Sequence, residues 1–415
     1  MKTTFEQLHI GIVSQWYKPE NAPIPSDIAQ HLVAAGHTVT VLTGFPNYPS
    51  GVIFPGYKQR WRQTTSADGI RVVRSPVYPS HDANAVKRVV NYLSFAATTT
   101  LNARALRSCD VVYVYSSPIT ATAAALACKV LWKIPFVAHV QDLWPESVLQ
   151  SGMITTGSKG VAARLLFRIC NAIYRRASTL VTIAPRMKRM LVERGIPEHQ
   201  IASIYNWSTA APSTAHPGGA RASTDTPRSV IYAGNLGVAQ DLTSVVDALE
   251  ACGPDLDLDV RMIGAGVVAG ELHERSRRVR QLSVHEPVER SAMEGLYAAA
   301  DFSLVTLRDV PLFRGTIPSK FQASLAYGLP VITSVRGDVS EIVTRYGCGI
   351  VVDPTIKGSM EAALREAASM SDEDLAAMRA ACRRATDELF DRSLCLNKLT
   401  DLLVSTVTSP TRNGR

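Results

Sequence analysis

The sequence predicts two open α/β domains, each a parallel sheet wrapped in helices, and three observations carry that reading. The order strand, loop, helix, strand recurs through both halves; the strands are short and apolar; and a stretch without periodicity separates the halves. Parallel strands require helical crossovers, and sheets covered on both faces show such runs. At 415 residues, 46% hydrophobic and 19% charged, the chain is long enough for two ordinary cores and far outside the range of small disulfide scaffolds.

The first half opens on the apolar strand "HIGIV". Next come the loop "SQWYKPENAPIPS", a helix from Asp27 to Ala35 ended by Gly36, and the β-branched strand "TVTVLTG". The unit repeats as "DVVYVYSS" with an alanine-rich helix, as "IPFVAHVQD", and as "STLVTIAP" with "RMKRMLVERG". Between Trp207 and Ser229 the composition turns to Ser, Thr, Ala, Pro and Gly. The alternation then restarts with "SVIYAGN", "LTSVVDALEAC", "LDVRMIGAG", "ELHERSRRV", "MEGLYAAAD", "FSLVTL" and "SLAYGLPVITS". "SDEDLAAMRAACRRATDELF" follows as an amphipathic helix with Ser371 as N-cap. The expected boundaries are residues 1–206, a linker or exposed loop over 207–229, a second domain over 230–388, and 389–415 as a helix returning towards the first domain with a disordered tail.

Seven scattered cysteines, with no C-x-x-C pair and no histidine spacing for zinc, read as buried thiols in a reducing compartment. The start "MKTTFEQLHI" lacks a signal-peptide pattern, and the most apolar stretch, Ala121 to Ala138, is interrupted by Lys129 and Lys133. A cytosolic protein without a transmembrane helix is expected. The net charge of +8 is uneven. From Lys159 to Arg194 run Arg164, Arg168, Arg175, Arg176, Arg186, Lys188 and Arg189 against Glu193 alone, and Lys87, Arg88, Arg104 and Arg107 flank "VVNYLSFAATTTL". With Val161, Leu165, Leu166, Ile169, Ala172 and Ile173 at helical spacing, one helix presents an apolar face beside a basic one. That fits an anionic membrane surface, or a core-facing helix with solvated arginines. No nucleic-acid module is present.

Two such domains facing each other make a deep cleft, and open α/β sheets bind ligands outside the carboxyl ends of their strands. In "AGNLGVAQD", Gly234 and Gly237 allow close approach to a helix starting near Asp241 or Leu242. "MIGAGVVAG" places Gly264, Gly266 and Gly270 after a strand, but its spacing fits a dinucleotide fingerprint poorly, so a nicotinamide enzyme is a runner-up. "DVPLFRGTIPSKFQASLAYGLPVITS" delivers Ser319 and Lys320 to a helix start, where amides, a hydroxyl and an ammonium converge in a manner suited to a diphosphate. "VAHVQDLWPES" puts His139, Gln141 and Asp142 at a strand end, to contact a substrate hydroxyl or assist proton transfer; alternatively Asp142 caps the following turn.

The stretches "YKPENAPIPSDIAQHLVAAGHTVTVLTGFPNYPSG", "NYLSF", "QDLWPES", "YAGNLGVAQDL", "LYAAADFSLV", "IPSKFQASLAYGLPVI" and "GDVSEIV" resemble the retaining, GT-B fold glycosyltransferases of family 4. Within that family they are similar to bacterial enzymes of the colanic-acid and O-antigen L-fucosamine type. The resemblance implies an N-terminal acceptor domain and a C-terminal domain for a nucleotide-diphosphate sugar, usually UDP-linked. It implies no cofactor and no metal, with an undecaprenyl-diphosphate-linked saccharide as acceptor and a peripheral location on the inner face of the membrane. By motif position Gly234, Asn235, Gln240, Gly264, Thr316, Ile317, Pro318, Ser319 and Lys320 fall near the donor diphosphate, Pro287 and Val288 near the base, and Gln322, Asp338 and Glu341 near sugar or ribose. Asn21, Ala22 and Pro23 belong to a loop closing over the donor, while Asp142 or His139 orients the acceptor and Lys320 stabilises the leaving UDP. Gly315 and Ala323 stand where many relatives carry paired glutamates, and Asn235 and Gln240 where Arg and Lys are common. The competing expectations are a UDP-sugar 2-epimerase type of GT-B enzyme and a catalytically inactive saccharide- or partner-binding subunit.

Overall fold

In the first half the chain lays down β1 (His9–Val13), α1 (Pro23–Ala34), β2 (Thr38–Gly44), the hairpin β3 (Gln63–Ala67) and β4 (Ile70–Ser75), α2 (Ala85–Leu101), β5 (Val111–Ser116) and α3 (Thr122–Trp132). It continues through β6 (Phe136–Val140), α4 (Glu146–Gln150), α5 (Val161–Arg176), β7 (Thr179–Thr182), α6 (Pro185–Glu193) and β8 (Ile201–Ser203). These strands form one sheet in the order β3-β4-β2-β1-β5-β6-β7-β8, parallel throughout except for β3 against β4. The computed structural model describes residues 7–80, 84–150, 160–208, 226–289 and 292–408. Its chain divides into two units, residues 1–206 with 393–415 and residues 207–392.

The second unit contains β9 (Arg228–Ala233), α7 (Leu242–Cys252), β10 (Leu258–Ile263), α8 (Ala269–Ser276), β11 (Leu282–His285), α9 (Met293–Ala298) and β12 (Phe302–Val305). After these come α10 (Ser319–Ala326), β13 (Val331–Thr333), α11 (Asp338–Tyr346), β14 (Gly349–Val351), α12 (Ser359–Ser369) and α13 (Asp372–Ala385). The order β11-β10-β9-β12-β13-β14 is that of a doubly wound Rossmann sheet, with its switch point between β9 and β12. Its core joins Val230, Tyr232, Val260 and Leu304 of the strands to Val245, Leu249 and Leu364 of the helices. A final helix, α14 (Arg392–Thr408), buries Cys395, Leu396, Leu399 and Leu403, and its residues from Ser393 group with the first unit.

Several boundaries differ from the sequence reading. The first helix begins at Pro23 rather than Asp27, because proline is tolerated in a first turn whose N–H groups have no intrahelical partner. Strand β9 starts at Arg228, inside the stretch read as linker; Arg228 is 2% exposed and donates to the Met370 carbonyl (2.6 Å) and Asp372 (2.5 Å). The rest of that linker, over 209–225, lies outside the described residues, as do Lys159 and 409–415 of the tail. Helix α5 buries Ala163, Cys170 and Tyr174, whereas Val161, Leu165 and Ile169 are 74%, 56% and 48% exposed. Its most regular apolar stripe therefore faces solvent and does not feed the core. Ser371 does cap α13, its Oγ accepting from the Asp374 amide at 3.0 Å.

Candidate active site

Each sheet offers a site at its switch point. In the first unit the switch lies between β1 and β5, and the loops after β1, β2 and β5 line a pocket of about 370 Å³ together with α2. Asn21, Ala22 and Pro23 form part of its wall, opposite Tyr48, Arg88, Tyr92 and Ser117. Glu20, 4% exposed, braces two of these loops: Oε1 accepts from the amides of Asn47 (2.8 Å) and Tyr48 (2.9 Å), and Oε2 from Tyr17 (3.1 Å). Burial raises its pKa, and the three amides oppose that rise. On α2, Asn91 accepts from Gln15 at 2.5 Å and donates to the Tyr78 carbonyl at 2.6 Å, which fixes the helix beside the loop after β1. Arg88 Nε is buried with no hydrogen-bond partner among the described residues, a donor held ready for a ligand oxygen.

Asp142 follows β6 and accepts from Ser117 Oγ at 2.5 Å, which ties it to the wall of this pocket. Its carboxyl is crowded by protein yet keeps solvent contact; desolvation raises its pKa, and the Ser117 hydroxyl pulls the other way. Asp142 and Arg88 also act in opposite senses on the Tyr92 phenol, whose pKa burial raises. His139 is a correction. Every residue of β6 is buried, and the His139 ring is 0% exposed, sharing a 2.7 Å hydrogen bond between Nδ1 and the Tyr113 hydroxyl. Burial lowers its pKa to about 3, so it stays neutral and supports the strand end from inside rather than touching a substrate.

In the second unit the loops after β9 and β12 meet at the switch point. Thr306 Oγ1 donates to the Gln240 carbonyl (2.6 Å), and the Arg308 amide to Ala239 (3.0 Å). Lys320, the second residue of α10, reaches the end of β9 and the Gly234 backbone. Its ammonium donates to the Tyr232 hydroxyl, lies 3.7 Å from the centre of that ring, and burial lowers its pKa to about 8. Among the described residues no carboxylate pairs with it. Gly234 sits at φ +136°, a backbone conformation that strains a side chain, and lies against the end of Lys320: its Cβ position falls 2.6 Å from Lys320 Cε. Asn235 Nδ2 donates to Gln240 Oε1 at 3.3 Å across the same loop.

The remaining expected donor residues occupy several settings. Ser319 is exposed at the start of α10, after Thr316, the buried Ile317 and Pro318 at the N-cap. Gln322 is buried on the same helix, and Ala323 follows it. Asp338, 3% exposed, and exposed Glu341 lie in the first turn of α11, next to Gly337, whose Cβ position falls 2.1 Å from the Arg314 carbonyl. Pro287 and Val288 are exposed beyond the end of β11. Gly264 lets two loops approach closely: its Cβ position lies 1.8 Å from the Gly234 carbonyl, and that of Gly266 lies 2.2 Å from the Leu236 carbonyl. Two of the three glycines read as a poor dinucleotide fingerprint, Gly264 and Gly266, are thus spaces through which the β10 loop closes on the β9 loop, whereas Gly270 has open space around it. Tyr232, Glu20, Arg88 and Tyr92 escaped the sequence reading; only Arg88 carried a signal, through its basic cluster.

No group of three or more His, Cys, Asp or Glu among the described residues is placed to hold a metal ion. A glycosyl transferase 4-like domain family matches residues 23–207, and a glycosyl transferases group 1 family matches residues 227–369. The chain is 24% identical over 373 residues to WcaI of Escherichia coli K12, named as a colanic acid biosynthesis glycosyl transferase, covering 85% of this chain and 90% of WcaI. It is 25% identical over 270 residues to the glycosyltransferase WbjE of Pseudomonas aeruginosa, covering 62% and 66%. The crystal structure of Anabaena HepE in complex with UDP and glucose superposes with a TM-score of 0.66 at 14% identity, covering 96% of this chain and 100% of HepE. Two Rossmann-like sheets of this order and two matching family domains lead to one conclusion: the chain belongs to the family 4 glycosyltransferases of GT-B fold.

Proposed function

We propose that the chain transfers a sugar from a UDP-linked donor to a lipid-linked saccharide, with retention of anomeric configuration and no metal ion, in the assembly of a cell-surface polysaccharide. The observation that carries this reading is Lys320: a half-buried ammonium with no carboxylate partner among the described residues, beside glycine backbone at the switch point of a Rossmann sheet. Such a group lacks an anion, and a diphosphate supplies one. HepE with UDP supports the choice of nucleotide, and the name of WcaI supports the polysaccharide setting.

On this reading the donor diphosphate rests against Lys320, the amides of Ser319 and Lys320, and the loop of Gly234, Asn235 and Gln240. As the bond between the sugar's anomeric carbon and the diphosphate breaks, negative charge grows on the departing oxygen and Lys320 stabilises it. The acceptor hydroxyl attacks the same face and gives its proton to the leaving phosphate, while Asp142, held by Ser117, orients that hydroxyl. The lipid portion of the acceptor suits α2, which gives Arg88 and Tyr92 to the pocket and exposes Val86 (70%), Val90 (41%) and Leu93 (55%) on another face. With the arginine-flanked stripe of α5, this helix would rest on an anionic membrane surface. No helix among the described residues is long and apolar enough to cross a membrane.

The test incubates the protein with UDP-sugars and an undecaprenyl-diphosphate-linked saccharide, with and without chelator, and reads product anomers by NMR. Acceptor-dependent product of retained configuration, indifferent to chelator, is expected. Epimerised nucleotide sugar formed without acceptor would overturn the transfer reading in favour of an epimerase. Nucleotide binding without turnover of any donor would leave only a binding subunit.

A further inference from the structure

A second pocket lies in the first unit, on the flank of its sheet between the edge hairpin β3–β4 and the turn that follows α2. It measures about 390 Å³ and is lined by Arg62, Arg71, Arg104 and Arg107 with Ala105 and Ser108; it shares no residue with the strand-end pocket. It is an open hollow at the surface: Arg62, Arg104, Arg107 and Ser108 are exposed and Arg71 is half-buried.

The chain assembles this cluster from three separate segments. Arg71 is on β4, Arg62 precedes β3, and Arg104 and Arg107 belong to the turn between α2 and β5. Asn102 fastens that turn to the hairpin side, donating to the Trp61 carbonyl and to Ser75 Oγ, both at 3.1 Å. Among the described residues no carboxylate lines the pocket and none of the four guanidiniums is ion-paired. The nearest acid along the chain, Asp110, has Oδ2 engaged by the His9 amide at 2.7 Å. Three arginines elsewhere contrast with them: Arg74, also on β4, donates to the carbonyls of Gly44 and Lys18, while Arg228 and Arg275 meet carboxylates. Like charges gathered without a counter-charge repel, and a bound anion removes that repulsion.

We propose that this pocket binds a phosphate group, separately from the donor and acceptor sites. Several forked guanidiniums exceed what one carboxylate can accept, whereas the oxygens and higher charge of a phosphate or diphosphate match them. The phosphate comes either from a soluble ligand or from a lipid headgroup; Trp61 and Leu101, 59% and 68% exposed next to the cluster, are compatible with the second source.

The test uses the full chain carrying Lys320→Ala, so that the strand-end ammonium does not compete, and titrates inorganic pyrophosphate by calorimetry at low salt. The expected result is binding that weakens as salt rises and falls at least about tenfold when Arg104→Gln and Arg107→Gln are added, with no drop in Tm. Arg62→Gln with Arg71→Gln provides the same comparison from the other wall. Pyrophosphate binding that is absent, or unchanged by both pairs of substitutions, would overturn the proposal. Vesicles of phosphatidylcholine with phosphatidic acid then identify the source. Vesicle binding lost along with pyrophosphate binding means a lipid phosphate, and vesicle binding retained through the stripes of α2 and α5 means a soluble one.

Discussion

Lys320 is the residue whose chemistry the rest of the second site serves, and its charge gives the sharpest expectation. If Lys320 binds the diphosphate as proposed, its pKa of about 8 in the free protein means that it does so as the ammonium, and UDP affinity is expected to be level below that pH. It then weakens by up to about tenfold per pH unit above it, because each binding event must first restore the proton. Calorimetric titration from pH 6.5 to 9.5 reads this directly, and Lys320→Ala abolishes the slope. The same substitution lowers kcat/KM by on the order of 2–4 kcal/mol of transition-state stabilisation. His139 gives a stability expectation of defined sign. Its unfolded imidazole takes a proton near pH 6.5 and the folded one only near 3, so the unfolded state binds the extra proton and stability falls as pH drops between those values. The loss approaches about 1.4 kcal/mol per pH unit, and urea melts of His139→Gln show a shallower dependence. Gly264→Ala forces a Cβ onto the Gly234 carbonyl and costs about 2–4 kcal/mol in the same assay. At this scale the sequence pointed to Lys320 at a helix start and to Asp142 after a strand, and the structure places Lys320 in the first turn of α10 and Asp142 after β6. The burial of His139 and the architectural use of Gly264 depend on which neighbouring strand lies across from them, and periodicity does not contain that.

Helices α2 and α5 show why an amphipathic pattern identifies a helix before it identifies what the helix faces. In α5 the regular apolar positions Val161, Leu165 and Ile169 point to solvent, and the buried stripe is the less conspicuous Ala163, Cys170 and Tyr174. In α2 the buried positions are Asn91, Phe95 and Thr99, two of them polar, while Val86, Val90 and Leu93 are exposed. An exposed apolar stripe is uncommon on a solitary soluble domain and marks an interaction surface. Val90→Glu with Leu93→Glu, or Leu165→Glu with Ile169→Glu, is therefore expected to reduce flotation with anionic liposomes severalfold while leaving Tm within about 1 °C, because none of these side chains supports the core. Unchanged flotation would dismiss the membrane from the account. Strands were easier: the β-branched runs at Thr38–Gly44 and Val111–Ser116 stand where the alternation placed them. The hairpin of β3 and β4 was not anticipated, since Gln63–Ala67 is a mostly exposed edge strand with little apolar signal.

For the whole molecule, the recurring strand and helix order made the two-sheet architecture legible, and the strand orders of both sheets followed from crossover connections that a sequence pattern only suggests. Residues 207–392 form a unit with its own core, so a fragment spanning 226–392 is expected to fold and to bind UDP within about threefold of the full chain. Circular dichroism and calorimetry check both. A fragment of residues 1–206 lacks α14 and is expected to melt at a lower temperature than the same unit in the full chain. The division has a further consequence in the order of synthesis. The first unit is discontinuous, and residues 393–408 leave the ribosome only after the entire second unit has been made. Domains usually complete themselves from the N-terminus onward. Here the half that begins first finishes last, so a nascent chain holds a complete proposed donor domain before its proposed acceptor domain is whole.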